Sequence, residues 1–274
     1  MKWSVCFFIF FSVVSFSLYA QTHPISEIQF KGLKHTTSAF ITRFLETKKG
    51  EVLDSVQIQS DIIRLKRLSS ISNVTYEVVS LSNDHHNITF NFEENFTLIP
   101  VFNYWTTITT IAYKIGGYEY NLFGKNITFG GFYQYNGQNT FGLNFNAPYL
   151  FSNKWGLDFN FLNWKSEEPL YIGDQSTIYL YQNSSYELLG SYELNFKNRV
   201  QLGLSLFSEH YKATKAVISL NLPKEVEINK QLIKLIYTHQ NLDYYYFYIQ
   251  GFKSVFNGQF VTANNTAKNN FFIA

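Results

Sequence analysis

Hydrophobic positions follow two periods in two parts of the chain. Between residues 25 and 92, short alternating runs flank segments with helical spacing. Ile28 and Phe30 alternate with polar neighbours in a strand that ends at Gly32. Phe40, Ile41, Phe44 and Leu45 make one stripe of a helix that Thr37 or Ser38 can cap and that Gly50 is expected to stop. Asp54 followed by Gln57 fits a capping box and opens a second helix in which Ile58, Ile62 and Leu65 share a face. Val74, Tyr76 and Val78 alternate in a further strand. After a polar turn at 83–87, Ile88, Phe90 and Phe92 alternate in its return. The order β-α-α-β-β predicts a small sheet covered by helices.

From residue 96 onward only the strand period remains. Phe141, Leu143, Phe145, Ala147 and Tyr149 fall on one face, with Gly142, Asn144 and Asn146 on the other. The same division recurs at 111–120, 155–161, 186–195, 200–209 and 233–237, and Tyr245, Phe247 and Ile249 are expected to begin another strand. Tight turns are expected at 121–126, 150–154, 196–199 and 240–243. Longer connections are expected at 165–177 and 212–230, around Pro169 and Pro223. Roughly 20 residues per strand and connection allow about nine strands. A secreted β-sandwich is one way to bury such faces. Long strands with aromatics crowded near the turns favour a transmembrane β-barrel.

Composition sharpens the choice. Aromatic residues are 19% and charged residues 15% of the chain, against roughly 25% charged in ordinary soluble domains. Mean hydropathy is −0.12, as half-polar strands require. No stretch is apolar for the length of a membrane helix. Lys2, the apolar run 5–14 and Ala20 read as a secretory signal over residues 1–20, with Ser17 as an alternative cleavage point. The single cysteine, Cys6, lies inside that signal and supplies neither a disulfide nor a metal site. A net charge of +2 gives no pull towards nucleic acid. Asp84, His85 and His86 read as a solvated turn rather than a metal pocket. Lys48, Lys49, Arg64, Lys66 and Arg67 read as solvated helix faces. The sequence offers no nucleophile–base pair, phosphate loop or cofactor motif, so no cofactor and no enzymatic activity are expected.

Residues 25–94 resemble the polypeptide-transport-associated (POTRA) domain. The likeness lies in Phe30-Lys31-Gly32-Leu33, Gly50-Glu51-Val52-Leu53-Asp54, Asp61-Ile62-Ile63-Arg64-Leu65 and Ser72-Asn73-Val74, in that order. Such domains project into the periplasm and guide unfolded clients by offering a strand edge to an extended peptide. Here the capable edges are those carrying Val74, Tyr76 and Val78, or Ile28 and Phe30. Further along, Asn121-Leu122-Phe123-Gly124-Lys125-Asn126 and Pro148-Tyr149-Leu150-Phe151 resemble two turns of the bacterial surface antigen family, the outer-membrane assembly and translocation barrels of Bam type. That resemblance implies an α+β POTRA domain at 21–95, followed at 96–274 by an antiparallel barrel segment of about nine strands out of a probable sixteen. It also implies a bacterial outer-membrane location with the POTRA domain in the periplasm. The implied partners are membrane lipid, unfolded outer-membrane or secreted clients, and periplasmic or lipoprotein accessory subunits.

The chain departs from that family in two respects. Its R-G-(F/Y) loop motif is missing, and the last residues are a polar run before Phe271-Phe272-Ile273-Ala274 with no closing strand. The chain therefore reads as the N-terminal part of a longer product. Insertion of outer-membrane proteins and translocation of polypeptides both remain open. So do a passive outer-membrane pore, a surface-binding barrel and a non-functional fragment of an assembly barrel.

Overall fold

A computed structural model describes residues 24–81, 85–107, 110–172, 175–214, 223–245, 247–263 and 271–273. The signal segment, Asp84 and residues 215–222 of the 212–230 connection lie outside the described residues. The N-terminal part comprises β1 (Ile25–Lys31), α1 (Ser38–Thr42), α2 (Ser55–Leu65), β2 (Ile71–Ser80) and β3 (His86–Glu94). Its sheet has the order β1-β3-β2, with β1 parallel and β2 antiparallel to the central β3. Phe40, Ile41, Phe44, Ile58, Ile62 and Leu65 pack on Val74, Ile88 and Phe90 in one core. Each such side chain contributes about 1.5–3 kcal/mol by leaving water. Thr37 caps α1 through Phe40 N, and Asp54 caps α2 through Val56 N and Gln57 N.

The first helix is shorter than its apolar stripe suggests. It ends at Thr42 rather than at Gly50. Asp61, fully buried, accepts hydrogen bonds from Glu46 N and Thr47 N, both at 2.9 Å. Arg64 donates to Phe44 O at 3.0 Å. These side chains of α2 take over backbone groups that a longer α1 would have paired internally. Phe44 and Leu45 stay in the core without being helical.

The second part is a single antiparallel sheet. Its strands are β4 (Leu98–Thr106), β5 (Ile111–Leu122), β6 (Ile127–Tyr135), β7 (Asn139–Ala147), β8 (Trp155–Ile172), β9 (Gln175–Asn195), β10 (Asn198–Ala213), β11 (Glu225–Tyr244), β12 (Ile249–Ala263) and β13 (Phe271–Ile273). Among the described residues they form ten strands in sequential order from β4 to β13, in keeping with the nine or so expected. The last strand is Phe271–Ile273, which pairs with Gln259, Phe260 and Val261. Among the described residues β4 and β13 are the two edges of the sheet.

Two expected connections are strand instead. Residues 165–172 continue β8 and pair with β9 as far as Ile172↔Gln175. Strand β7 pairs with β8 no further than Asn163. Pro169 therefore lies where one side of β8 has no ladder partner among the described residues, and a missing N–H costs little there. Residues 240–243 likewise continue β11, and the turn falls at 245–248, so Tyr245 and Phe247 belong to that turn and not to a new strand. Gly251, opposite Leu242, makes the pairing possible. It has φ +126, and a Cβ there would lie 2.2 Å from Asn241 O.

Candidate functional site

The residues of the two motif turns meet the first domain at one junction. Between β5 and β6, Phe123 and Asn126 adopt φ of 59° and 55°, and Gly124 one of 67°. Asparagine tolerates this left-handed conformation, and glycine adopts it freely. Asn121, itself buried, accepts from Asn126 N at 2.9 Å and donates to Thr36 Oγ1 at 3.0 Å. Asn126 Oδ1 accepts from Ser69 Oγ at 2.8 Å. Gly124 O accepts from Thr37 N at 3.1 Å, and a Cβ on Gly124 would meet His35 O at 2.2 Å. Leu122 closes the turn by pairing with Ile127, while Phe123 remains exposed. The asparagines and the glycine are therefore both turn formers and docking groups.

Tyr149 makes the second contact. Simple alternation puts it on the outer apolar face, but β7 ends at Ala147 and Tyr149 turns into the junction beside Pro148. Its ring lies edge-on to Phe44 with centroids 4.7 Å apart. Arg43 Nη2 donates to Tyr149 O at 2.9 Å, and Asn153 Nδ2 donates to Arg43 O at 3.1 Å. The Tyr149 hydroxyl donates to Glu193 Oε1 at 3.2 Å and accepts from Arg199 Nη2 at 3.1 Å. Burial, only partly offset by the Arg199 charge, pushes the phenol up to about 12.

Arg67, which follows α2, makes the third. Its guanidinium donates to Phe196 O in the β9–β10 turn and to Gln240 O of β11, the latter at 3.1 Å. It also sits 3.7 Å above the Phe196 ring centre. One planar side chain thus ties the first domain to separate hairpins. Burial lowers its pKa, against the opposing pull of Tyr244, Tyr149 and Glu193. Arg67 is therefore not a solvated helix charge, and its spacing among Arg64 and Lys66 carries no signal of that role. A bulky phenylalanine in the tight turn at 196–197, where asparagine or glycine is usual, is the sequence feature that could have pointed to it. Glu94, also missed, accepts from Lys34 N, His35 N and Thr36 N at 3.1, 2.9 and 2.7 Å. Burial alone would raise its pKa; hydrogen bonds from Thr36, His35 and Lys34 prevail and hold it below the usual value.

The strand residues expected to meet clients lie elsewhere. Because β3 is central, β1 and β2 occupy opposite edges of the small sheet. Ile28 and Phe30 pack partly against the core, Val74 is buried, Tyr76 is half-buried and Val78 is more open. Apart from Val78, these side chains help hold the domain together. The start of β1 is covered, since Ile25 N donates to Glu51 O and Gly50 N to Ile25 O. Strand β2 has no ladder partner on its outer side among the described residues.

The polarity of the large sheet is inverted. Its outer face carries exposed apolar side chains, such as Phe102 at 72% and Leu204 at 55% exposure. The other face carries the ion pairs Lys234–Glu187 and Lys230–Glu209, and Asp158 accepts there from Gln201 at 2.6 Å. The apolar band crosses the strands obliquely. One row joins Phe102, Ile115, Tyr133 and Phe141 to Asn163, Ser184, Ser208 and Asn229, apolar on β4–β7 and polar on β8–β11. A lower row joins Trp155, Tyr192, Val200, Tyr237 and Phe256, apolar on β8–β12. The band slips by about one residue per strand. With a rise of about 3.3 Å and a strand spacing of about 4.8 Å, it becomes level when strands tilt by about 35°, the tilt of a barrel. The turns 123–126, 148–154, 196–197 and 245–248 all lie on the side of the first domain.

Residues 23–95 match the family model described as POTRA, surface antigen variable number repeat. No curated protein matches the chain. Among solved structures, the chain is similar to BamA from Haemophilus ducreyi lacking POTRA domains 1–3, at 16% identity and a TM-score of 0.58, covering 87% of this chain and 48% of that one. It is also similar to CdiB from Escherichia coli, at 12% identity and a TM-score of 0.51, covering 90% of this chain and 46% of that one. The chain thus spans about half the length of these structures. At such identities the likeness establishes the fold: a POTRA domain joined to a barrel sheet.

Proposed function

We propose that this chain, a POTRA domain joined to a BamA-like barrel sheet, serves outer-membrane protein assembly or polypeptide translocation without covalent chemistry. The signal segment at 1–20 sends it across the inner membrane, the unit at 21–95 stands in the periplasm, and the sheet within 96–274 lies in the outer membrane. One observation carries this reading. An inside-out sheet docks its tight turns on a small domain that keeps a strand edge open. An open edge binds extended chains through their backbone, so it accepts many sequences. Unfolded outer-membrane or secreted polypeptides are clients of that chemistry, met at β2 with Val74, Tyr76 and Val78, or at β1 with Ile28 and Phe30. Membrane lipid faces the oblique band. Inside a bilayer the backbone groups of β4 need a strand partner, which makes that sheet edge a place where a client strand is handed over.

Depletion in the native bacterium tests the proposal. Other outer-membrane or surface proteins should fall while total synthesis is unchanged. Unchanged levels, with ion conductance from the reconstituted chain, would identify a passive pore instead.

A further inference from the structure

We propose that a cavity between β2 and the β11–β12 turn receives an aromatic side chain from an extended polypeptide laid along β2. The inference rests on the reading that this strand edge takes a client. The cavity, of about 590 Å³, is bounded by Ile71 and Ser72 at the start of β2, by Lys66, and by Tyr245, Tyr248 and Ile249 of the turn. Ser69 and Asn95 also line it, so the cavity lies at the start of β2, at the end of a polypeptide laid along that strand. Between Ile71 and Asn73 the register with β3 shifts.

The turn has the chemistry of a ring acceptor. Tyr245 N donates to Tyr248 O at 2.9 Å, and the two rings lie stacked at 4.5 Å and 16°. Tyr245 and Tyr248 remain 49% and 57% exposed. Aromatic residues near barrel turns suit a membrane interface, and these two also line the cavity. A third ring extends such a stack, which leucine cannot do equally well. Arg67 holds Gln240 O at 3.1 Å, so the end of β11 is fixed relative to β2 and the cavity keeps its width.

The occupant follows from combining both walls. A strand edge requires a partner with regularly spaced N–H and C=O groups, and the tyrosine pair requires an aromatic ring. A polypeptide with apolar residues at alternate positions, aromatic rings among them, satisfies both, as β7 of this chain does with Phe141, Leu143 and Phe145. Such alternation is the pattern of a membrane-spanning β-strand.

The test uses the full chain in detergent micelles and two fluorescein-labelled peptides. One has the sequence of Asn139–Ala147; in the other both phenylalanines are leucine. The native chain should bind the aromatic peptide about five- to tenfold more tightly. Combining Tyr245→Ser with Tyr248→Ser should reduce that affinity to the leucine peptide's, and Tyr248→Phe should keep the preference. Val78→Pro, which spoils the edge but leaves the cavity, should weaken both peptides. Equal affinities in the native chain, or a preference surviving the double serine variant, would overturn the cavity while leaving the client edge standing. If neither peptide binds, or Val78→Pro has no effect, the client-edge reading fails and the cavity proposal falls with it.

Discussion

At the scale of single residues, the junction depends on groups that satisfy backbone atoms far away in sequence. Arg67 is the clearest case, because its guanidinium serves Phe196 O and Gln240 O while stacking on a ring. Arg67→Ala would leave part-buried carbonyls unpaired, at about 1–3 kcal/mol. Lysine cannot span both carbonyls and stack as well. Both variants should speed amide exchange at the 196–197 turn and at the end of β11, without loosening β2 and β3; unchanged exchange at the turn would refute the clamp. Glu94 gives a pH dependence with a definite sign. Its folded pKa is lowered, so its contribution is complete above the unfolded value of about 4.3. The contribution is lost as pH falls through the lower folded value. Exchange at Lys34, His35 and Thr36, corrected for intrinsic rates, should rise as the solution is acidified below about pH 4.3, and Glu94→Gln should abolish that rise.

At the scale of elements, alternation located almost every strand but misjudged their lengths. Both faces of each strand were legible from Phe141–Asn144 or Leu202–Ser205, since lipid and lumen demand opposite polarities. Pro169 and Asn241–Asp243 read as breaks because their residue types favour turns. Ladder pairing overrode that preference, through a one-sided edge at Pro169 and through Gly251 opposite Leu242. The turn motif at 121–126 was legible as a turn but not as a docking surface, because Thr36, Thr37 and Ser69 are distant in sequence. Strand slip could not be read from one strand at a time; it needs the register between neighbours. It also makes a sharp prediction on β10, where Leu202, Leu204 and Leu206 give way to Ser208 and His210 on the same face. With Cys6 the only native cysteine, single cysteines introduced at these positions should divide cleanly. A membrane-impermeant maleimide added to intact cells should label positions 208 and 210 and spare 202 and 204. Uniform labelling would contradict a bilayer boundary between 206 and 208.

At the scale of the molecule, the POTRA unit and the sheet are joined because the turns of several hairpins rest on the same small domain. The start of β2 lies beside the β11–β12 turn, so a strand captured as proposed would arrive close to the barrel sheet rather than at a remote tip. The most direct measurement is site-specific photocrosslinking in living cells from Val79 on that edge. Polypeptide adducts to newly exported outer-membrane or secreted proteins, lost with Val78→Pro, are the predicted result. Folded protein in the outer membrane that yields no polypeptide adduct from Val79, or from Gln29 on β1, would contradict the account.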